Sequence, residues 1–221
     1  KITDDRSLAL SFDEPCVVED CIPFEKEISV IVARNKNGEV RNFPPVEMDF
    51  NAEVNLVEFL YSPADITPGV SAKAVEIALK IIQDLEMVGL LAVEMFVSGN
   101  EVLVNEIAPR PHNSGHQTIE GNITSQYEQH LRAIFNLPLG NCDITRPSVM
   151  VNLLGEKNHS GPARYEGLDE VLALPGTYIH LYGKKTTRPF RKMGHVTVTA
   201  NEIETAREIA ARVRTIIKVI S

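Results

Sequence analysis

The sequence is short of several things, and each shortage narrows what the chain can be. No apolar run approaches the about 20 residues that a membrane-spanning helix needs, so neither a helical membrane protein nor a membrane partner is expected. Positive charge is in the minority: 22 Lys and Arg face 30 Asp and Glu, giving a formal net charge of -8 and an isoelectric point near 5.3. A nucleic acid would be repelled over most of such a surface, which leaves only local basic pockets for anions. Cysteine is scarce. Cys16, Cys21 and Cys142 are odd in number and form no C-x-x-C pair, so neither a zinc site nor a disulfide framework is indicated, and reduced thiols in the cytoplasm are expected. There is no initiator Met, and Lys1 to Leu10 carries Lys1, Asp4, Asp5 and Arg6 where a signal peptide would need an apolar core. The start therefore reads as a cut inside a longer chain. Internal repeats and low-complexity linkers are also lacking.

What is present has the balance of a soluble globular enzyme, with 43% hydrophobic and 24% charged residues. A length of 221 residues suffices for one ordinary domain and a smaller second one. From Cys16 to Ala33 the pattern is strand-like, and Asn37-Gly38 signals a hairpin whose return strand is Glu39 to Phe43. Pro44-Pro45 ends it, and an extended passage follows through Leu56 to Phe59. Ser71 is a plausible N-cap for a helix with Val75, Ala78, Leu79, Ile82 and Leu85 on one face, stopping near Gly89. Leu90 to Val97 and Glu101 to Ile107, joined by Ser98-Gly99-Asn100, form a second antiparallel hairpin. An amphipathic helix spans Ser125 to Phe135. A boundary falls near residue 145, dividing 1–145 from a smaller unit, 146–221. The smaller unit carries strands at Val149 to Leu154, Tyr178 to Tyr182 and His195 to Thr199, a short helix at Leu168 to Ala173, and a last helix from Glu202 with Ile216 and Ile217 on its apolar stripe.

If the second hairpin turns about Asn100, Glu94 and Glu106 oppose each other with side chains on one face. Two like charges so placed are destabilising. Either one carboxyl has a raised pKa or a divalent cation lies between them; an oxygen-only donor set with room for water and phosphate suits magnesium. A register slip of one residue would instead put the two on opposite faces. Directly after the hairpin comes Asn105-Glu106-Ile107-Ala108-Pro109-Arg110-Pro111-His112-Asn113-Ser114-Gly115-His116. The two prolines hold this backbone extended, so Arg110, His112 and Asn113 can be aimed with little entropy left to lose. A guanidinium there suits bidentate contact with a carboxylate, bicarbonate or phosphate. In the second unit Lys184, Lys185, Arg188, Arg191 and Lys192 make a basic cluster in an acidic protein, either a solvated loop or an anion site.

The stretch Asn105 to His116, followed by Thr118, Glu120-Gly121 and Thr124 to Arg132, closely resembles the 5-(carboxyamino)imidazole ribonucleotide synthase family, the ATPase subunit of phosphoribosylaminoimidazole carboxylase. The likeness extends upstream through Glu19 to Arg34 and downstream through Arg191-Lys192-Met193-Gly194-His195. It implies an α+β chain: part of an ATP-grasp fold, then a small β-rich C-terminal domain with a terminal helix. It further implies a hinge strand at Glu19-Asp20-Cys21-Ile22 against adenine and Glu27 on the ribose, with Asn105 and Glu106 sharing the nucleotide site. Glu94 and Glu106 would be magnesium ligands, manganese being an alternative ion. Arg110, His112 and Asn113 would surround bicarbonate and its activated product, and Lys184, Arg191 and Lys192 would take the phosphate of 5-aminoimidazole ribonucleotide. The implied reaction carboxylates that nucleotide with ATP and bicarbonate through carboxyphosphate, in purine biosynthesis, within a cytoplasmic homodimer functionally linked to a downstream mutase.

Relatives often have Asn and His shortly after the Pro44-Pro45-Val46 region, where this chain has Met48, Asp49 and Phe50, so the contacts of that loop are open. The N-terminal domain and the glycine-rich phosphate loop with its lysine are missing, Lys1 falling just after that loop, so the chain by itself is not expected to turn over. Formate-dependent glycinamide ribonucleotide transformylase shares a Pro-Arg-Pro-His stretch, but Asn113 to His116 fits the carboxylase better. Biotin carboxylase fits less well, since its Glu-x-Asn pattern would put Asn at Ala108. A non-catalytic association fragment is the remaining alternative.

Overall fold

The computed structural model describes residues 14–51 and 56–221. The expectations for Lys1 to Leu10, including the phosphate-loop position of Lys1, lie outside these residues. Nine strands make one antiparallel sheet, and the sheet explains how residues far apart in sequence meet. At its centre is β1 (Lys26–Arg34), flanked by β3 (Val46–Asn51) on one side and β5 (Gly89–Ser98) on the other, with β2 (Val40–Asn42) also pairing to β1. Beyond β5 lies the edge strand β6 (Glu101–Ala108). Beyond β3 come β4 (Leu56–Ser62), β7 (Ser148–Leu154), β12 (Lys192–Thr199) and β10 (Thr177–Leu181). The short strands β8 (Gly161–Pro162), β9 (Arg164–Glu166), β11 (Thr186–Thr187) and β13 (Lys218–Ile220) pair outside this sheet.

Strand alternation sends successive side chains to opposite faces, and each face acquires its own cover. Ile28, Val30 and Val32 of β1 point to helix α1 (Pro68–Asp84) and pack on Val70, Ala74, Ala78 and Ile82. Ile31 and Ala33 point the other way, toward a cluster that includes Ala133 of helix α3 (Gln126–Ile134) and Cys142. Between β6 and α3 the chain makes a 3-10 turn, Asn113–Gly115, and the short helix α2 (Thr118–Gly121). Further on, Val149, Val151, Val196 and Val198 bury against Ala206, Ile209, Ala210 and Val213 of helix α5 (Ile203–Ile216), with α4 (Leu168–Leu172) contributing Val171. Burial of the valine and isoleucine side chains among these supplies on the order of 1.5–3 kcal/mol each relative to exposure.

Five expectations are corrected. The strand expected from Cys16 begins only at Lys26, because Pro23 has no N–H to give a ladder and the first link to the hairpin is Glu25 N–H to Val97 O, 2.9 Å. Glu19-Asp20-Cys21-Ile22 is accordingly not a strand. Helix α1 is capped by Thr67, whose hydroxyl accepts from Val70 N–H, with Pro68 leading the helix; Ser71 lies inside it. Met48, Asp49 and Phe50 lie in strand β3, not in a loop, since Val46 and Met48 alternate inward and are buried. The last helix ends at Ile216, and Ile217 turns into the extended conformation that leads to β13. Ser125, by contrast, does cap α3, accepting from Glu128 N–H at 3.2 Å.

The sheet runs without a break across residue 145, because β7 pairs with β4 from Phe59↔Val151 to Ser62↔Ser148. The face opposite α5 in this half carries Ser148, Met150 and Asn152 beside His195, Thr197 and Thr199. That face meets the 3-10 turn and α2, and the candidate site lies along this meeting line.

Candidate active site

Strands β5 and β6 turn through Gly99-Asn100, with Ser98 opposite Glu101 and Met95 opposite Val104. A continued ladder would set Glu94 against Asn105. A β-bulge between Glu94 and Met95 admits one extra residue on β6, and Glu94 faces Glu106. Asn105, the inserted residue, swings its amide across to donate to Glu27 Oε1 at 3.4 Å. Ser29 lies directly opposite Glu94 on the other side of β5, so Glu27, Ser29 and Glu94 share a face. Three carboxylates thus converge on one surface, two of them, Glu27 and Glu94, buried.

Such crowding has an electrostatic cost. Burial, then the charges of Glu106 and Glu27, push the Glu94 carboxyl up to about 7. Burial also raises Glu27, against the Asn105 hydrogen bond. His112 Nε2 stands 3.4 Å from Glu94 Oε1, yet this is not an ion pair. Burial, with Arg110 and Lys192 nearby, lowers the imidazole to about 4. Ser114 N–H donates to His112 Nδ1 at 3.3 Å, which leaves the proton on Nε2 to be offered to Glu94. Ser114 Oγ touches the same Nδ1 at 2.9 Å and Ser29 Oγ at 2.8 Å, so the turn is tied to β1. The Gln126 amide grips the His112 peptide from both sides, accepting from its N–H and donating to its C=O, each at 2.8 Å.

The basic cluster is brought to this same surface in part. Lys192 is half-buried and lies close enough to Glu94, His112 and His116 to perturb all of them. Its own pKa is lowered, by burial first and then by Arg110 and Lys184, against the pull of Glu94. Lys184 donates to Lys192 C=O, and Arg191 donates to Thr186 C=O at 2.9 Å. Asn113 is joined to Asn152 of β7 by reciprocal amide bonds of 2.9 and 3.0 Å, while Arg110 is exposed beside Pro111. Glu19, Asp20 and Ile22 line a cleft of 290 Å³ with Phe96, Leu103, Val104 and Asn105, and Phe24 stacks on Phe96 with centroids 4.4 Å apart. Cys21 is exposed beside them and is not among those lining residues. Met48, opposite Glu27, is buried and offers no polar group.

Sequence reasoning missed Ser29, Gln126, Asn152 and His180 as members of the site's surroundings. A signal existed for Asn152, a single polar residue in the apolar run Val149-Met150-Val151-Asn152-Leu153-Leu154. Among the described residues no group of three or more His, Cys, Asp or Glu side chains has the arrangement of a self-sufficient metal site. The Glu94–Glu106 pair nonetheless fits magnesium: both donors are oxygens, Lys192 and Arg110 offset their mutual repulsion only in part, and two carboxylates are what that ion takes when a nucleotide supplies the rest.

Comparison with known proteins bears on these features. The ATP-grasp domain model matches residues 2–127, and the phosphoribosylaminoimidazole carboxylase C-terminal domain model matches residues 148–209. The chain is similar to N5-carboxyaminoimidazole ribonucleotide synthase of Bacillus subtilis, 43% identical over 195 residues that cover 87% of this chain and 49% of that one. Among solved structures, the N5-carboxyaminoimidazole ribonucleotide synthetase of Thermotoga maritima superposes with a TM-score of 0.92 at 47% identity, covering 100% of this chain and 59% of its own. The synthase of Aspergillus clavatus, solved with ADP and 5-aminoimidazole ribonucleotide, gives 0.76 at 36% identity over 86% of this chain and 52% of its own. The chain spans about half the length of the curated bacterial relative.

Proposed function

The chain belongs to the ATP-grasp family and carries the phosphoribosylaminoimidazole carboxylase C-terminal domain, and from that premise we propose that it forms the C-terminal part of an ATP-dependent carboxylase acting on 5-aminoimidazole ribonucleotide in purine biosynthesis. One observation carries this reading beyond the family: the opposed carboxylates of one hairpin, Glu94 buried and Glu106 exposed, share a surface with His112 and Lys192, so sites for a metal-bound nucleotide and for a second anion adjoin. The Aspergillus clavatus relative was solved once with ATP and once with ADP and the aminoimidazole nucleotide, which supports both ligands here.

In this proposal Glu19, Asp20 and Ile22 line the adenine side of the cleft, with Cys21 exposed beside them, and Glu27, steadied by Asn105, takes the ribose hydroxyls. Glu94 and Glu106 hold magnesium, or manganese in its place. The ion, when bound, would neutralise charge on the transferring phosphoryl group. Bicarbonate attacks the γ-phosphorus of ATP, ADP leaves, and carboxyphosphate results; the amine of the aminoimidazole then attacks its carbonyl carbon, phosphate leaves and the amine loses a proton. Arg110 binds the carboxyl oxygens. His112, neutral at pH 7, offers a hydrogen bond at Nε2 without adding positive charge beside Glu94. Asn113 keeps one amide hydrogen for the carboxyl group, and Lys184, Arg191 and Lys192 take the nucleotide phosphate. The packed surface around His112 keeps water from the activated carboxyl, which hydrolyses readily. A cytoplasmic homodimer and delivery of the product to a mutase belong to the same reading.

The test is ADP release by the full-length protein with MgATP and bicarbonate, comparing 5-aminoimidazole ribonucleotide with glycinamide ribonucleotide plus formate. Turnover requiring the first nucleotide, and falling by at least about 10²-fold in Glu94→Gln, is the expected result. Turnover only with the second pair would reassign the substrate, and silence with both would remove the proposed activity.

A further inference from the structure

The surface between the 3-10 turn with α2 and the C-terminal part of the sheet is unusually polar, and its contacts are ordered. On the sheet, Asn152, His195 and His180 stand directly opposite one another on β7, β12 and β10, so they form one row running across three strands. On the other side, Asn113, His116 and Glu120 recur at i, i+3 and i+7, the spacing of one face of a helical segment. The two rows meet member by member. Asn113 and Asn152 exchange amide hydrogen bonds of 2.9 and 3.0 Å. The His116 ring stacks on the His195 ring with centroids 4.7 Å apart and planes inclined by 22°. Glu120 Oε1 lies 2.8 Å from His180 Nε2, and the His180 ring stacks in turn on His195 at 4.5 Å.

The middle member of each row is tied to one half of the site. Gln126, wholly buried, grips the His112 peptide and donates from the same Nε2 to His116 Nδ1 at 3.0 Å. His195 Nδ1 is 3.0 Å from the Tyr182 hydroxyl, the Tyr182 ring lies 5.5 Å beneath the Lys184 ammonium, and Lys184 donates to Lys192 C=O. An unbroken series of contacts therefore runs from His112 through Gln126, His116, His195 and Tyr182 to Lys184.

We propose that this row, centred on the His116–His195 stack, is a positioning device that sets the loop bearing Arg110 and His112 in register with the basic loop bearing Lys184 and Lys192. The inference rests on the proposed function, since it assigns the two loops to successive steps: the first with magnesium to activate bicarbonate, the second to hold the nucleotide that receives it. A plain apolar seam would bury the same area, but it would slide. Paired amides, parallel rings and a carboxylate on an imidazole each fix one direction.

Two measurements on the full-length protein test this with His195→Leu, His116→Phe and the milder, partly exposed His180→Ala. The first is the ratio of ADP formed to nucleotide carboxylated. We expect it to rise from near one to at least about fivefold in His195→Leu, because bicarbonate is still activated but is lost to water before transfer. Damage that merely lowers the folded fraction reduces both products together and leaves the ratio at one, which would overturn the proposal. The second measurement, amide hydrogen exchange, is independent of the reaction. Exchange should speed up in His195→Leu and in His180→Ala at both Arg110–Gly115 and Gly183–Arg191, segments with no backbone ladder of their own between them. Faster exchange at one loop only, or at neither, would refute the coupling. If the wild type carboxylates nothing, the proposed function fails while the exchange result still decides the positioning role.

Discussion

Glu94 sits among two other carboxylates with little water to screen them, and that placement makes stability depend on pH in a definite direction. Its carboxyl titrates at about 7 in the folded chain and near 4.5 when unperturbed, so folding favours the protonated form. The favourable contribution is complete below about pH 4.5 and is lost as pH rises through about 7, amounting to on the order of 3 kcal/mol by pH 8. His112 has the opposite sign: with its folded pKa lowered from 6.5 to about 4, its contribution is present above 6.5 and lost as pH falls through 4. Glu94→Gln should therefore melt at about the same temperature as the wild type at pH 4.5 and about 5–10 °C higher at pH 8. Magnesium should recover part of that difference for the wild type at pH 8 and do nothing for the variant. Melting curves that run parallel from pH 4.5 to 8 would show that Glu94 carries no such burden.

At the scale of elements, the hairpin of β5 and β6 shows how a right answer can come from incomplete geometry. Counting outward from Asn100 pairs Glu94 with Glu106, yet the turn is Gly99-Asn100 and the plain ladder would pair Glu94 with Asn105. The bulge restores the pairing and adds the Asn105 contact with Glu27. Removing Asn105 should thus keep Glu106 opposite Glu94 while losing the amide. We expect manganese affinity of the Asn105 deletion to stay within about twofold, by calorimetric titration, while ATP binding weakens about fivefold, the loss of one hydrogen bond of roughly 1 kcal/mol. Metal and nucleotide affinity falling together would mean that the bulge is needed for the carboxylate pair itself. Bulges leave little trace in a sequence, because they change pairing and not composition. Caps leave more: Ser125 followed by Glu128 three residues on has capping-box spacing, whereas the N-cap expected at Ser71 belongs to Thr67, which Pro68 marks by its place at the first helical position.

At the scale of the molecule, what the sequence made plain was local and what it hid was long-range. The carboxylate pair and the proline-stiffened loop lie within a few dozen residues of each other and were found together, as was the basic cluster by its charge. Strand β3 was missed although Val46-Glu47-Met48-Asp49-Phe50-Asn51 alternates apolar with polar residues, the local sign of a half-buried strand, and His180 was missed because nothing local marks it as the partner of Glu120. The same long-range pairing decides how the chain comes apart. Among the described residues the two largest groups of buried apolar residues lie around α1 and around α5, and either could melt separately if only a linker joined them. They are joined instead by the β4–β7 ladder, with cross-strand pairs from Phe59↔Val151 to Ser62↔Ser148, and by the polar row from Asn113 to Glu120. Melting one side would strip partners from a central strand of the other and leave buried amides and a carboxylate unpaired, at about 1–3 kcal/mol for each group. A single calorimetric transition is the expected outcome, with the calorimetric and van't Hoff enthalpies of the chain in agreement and far- and near-ultraviolet dichroism melting together. Two resolved transitions, or a van't Hoff enthalpy about half the calorimetric one, would show that the ladder across residue 145 couples the two sides less than its pairing implies.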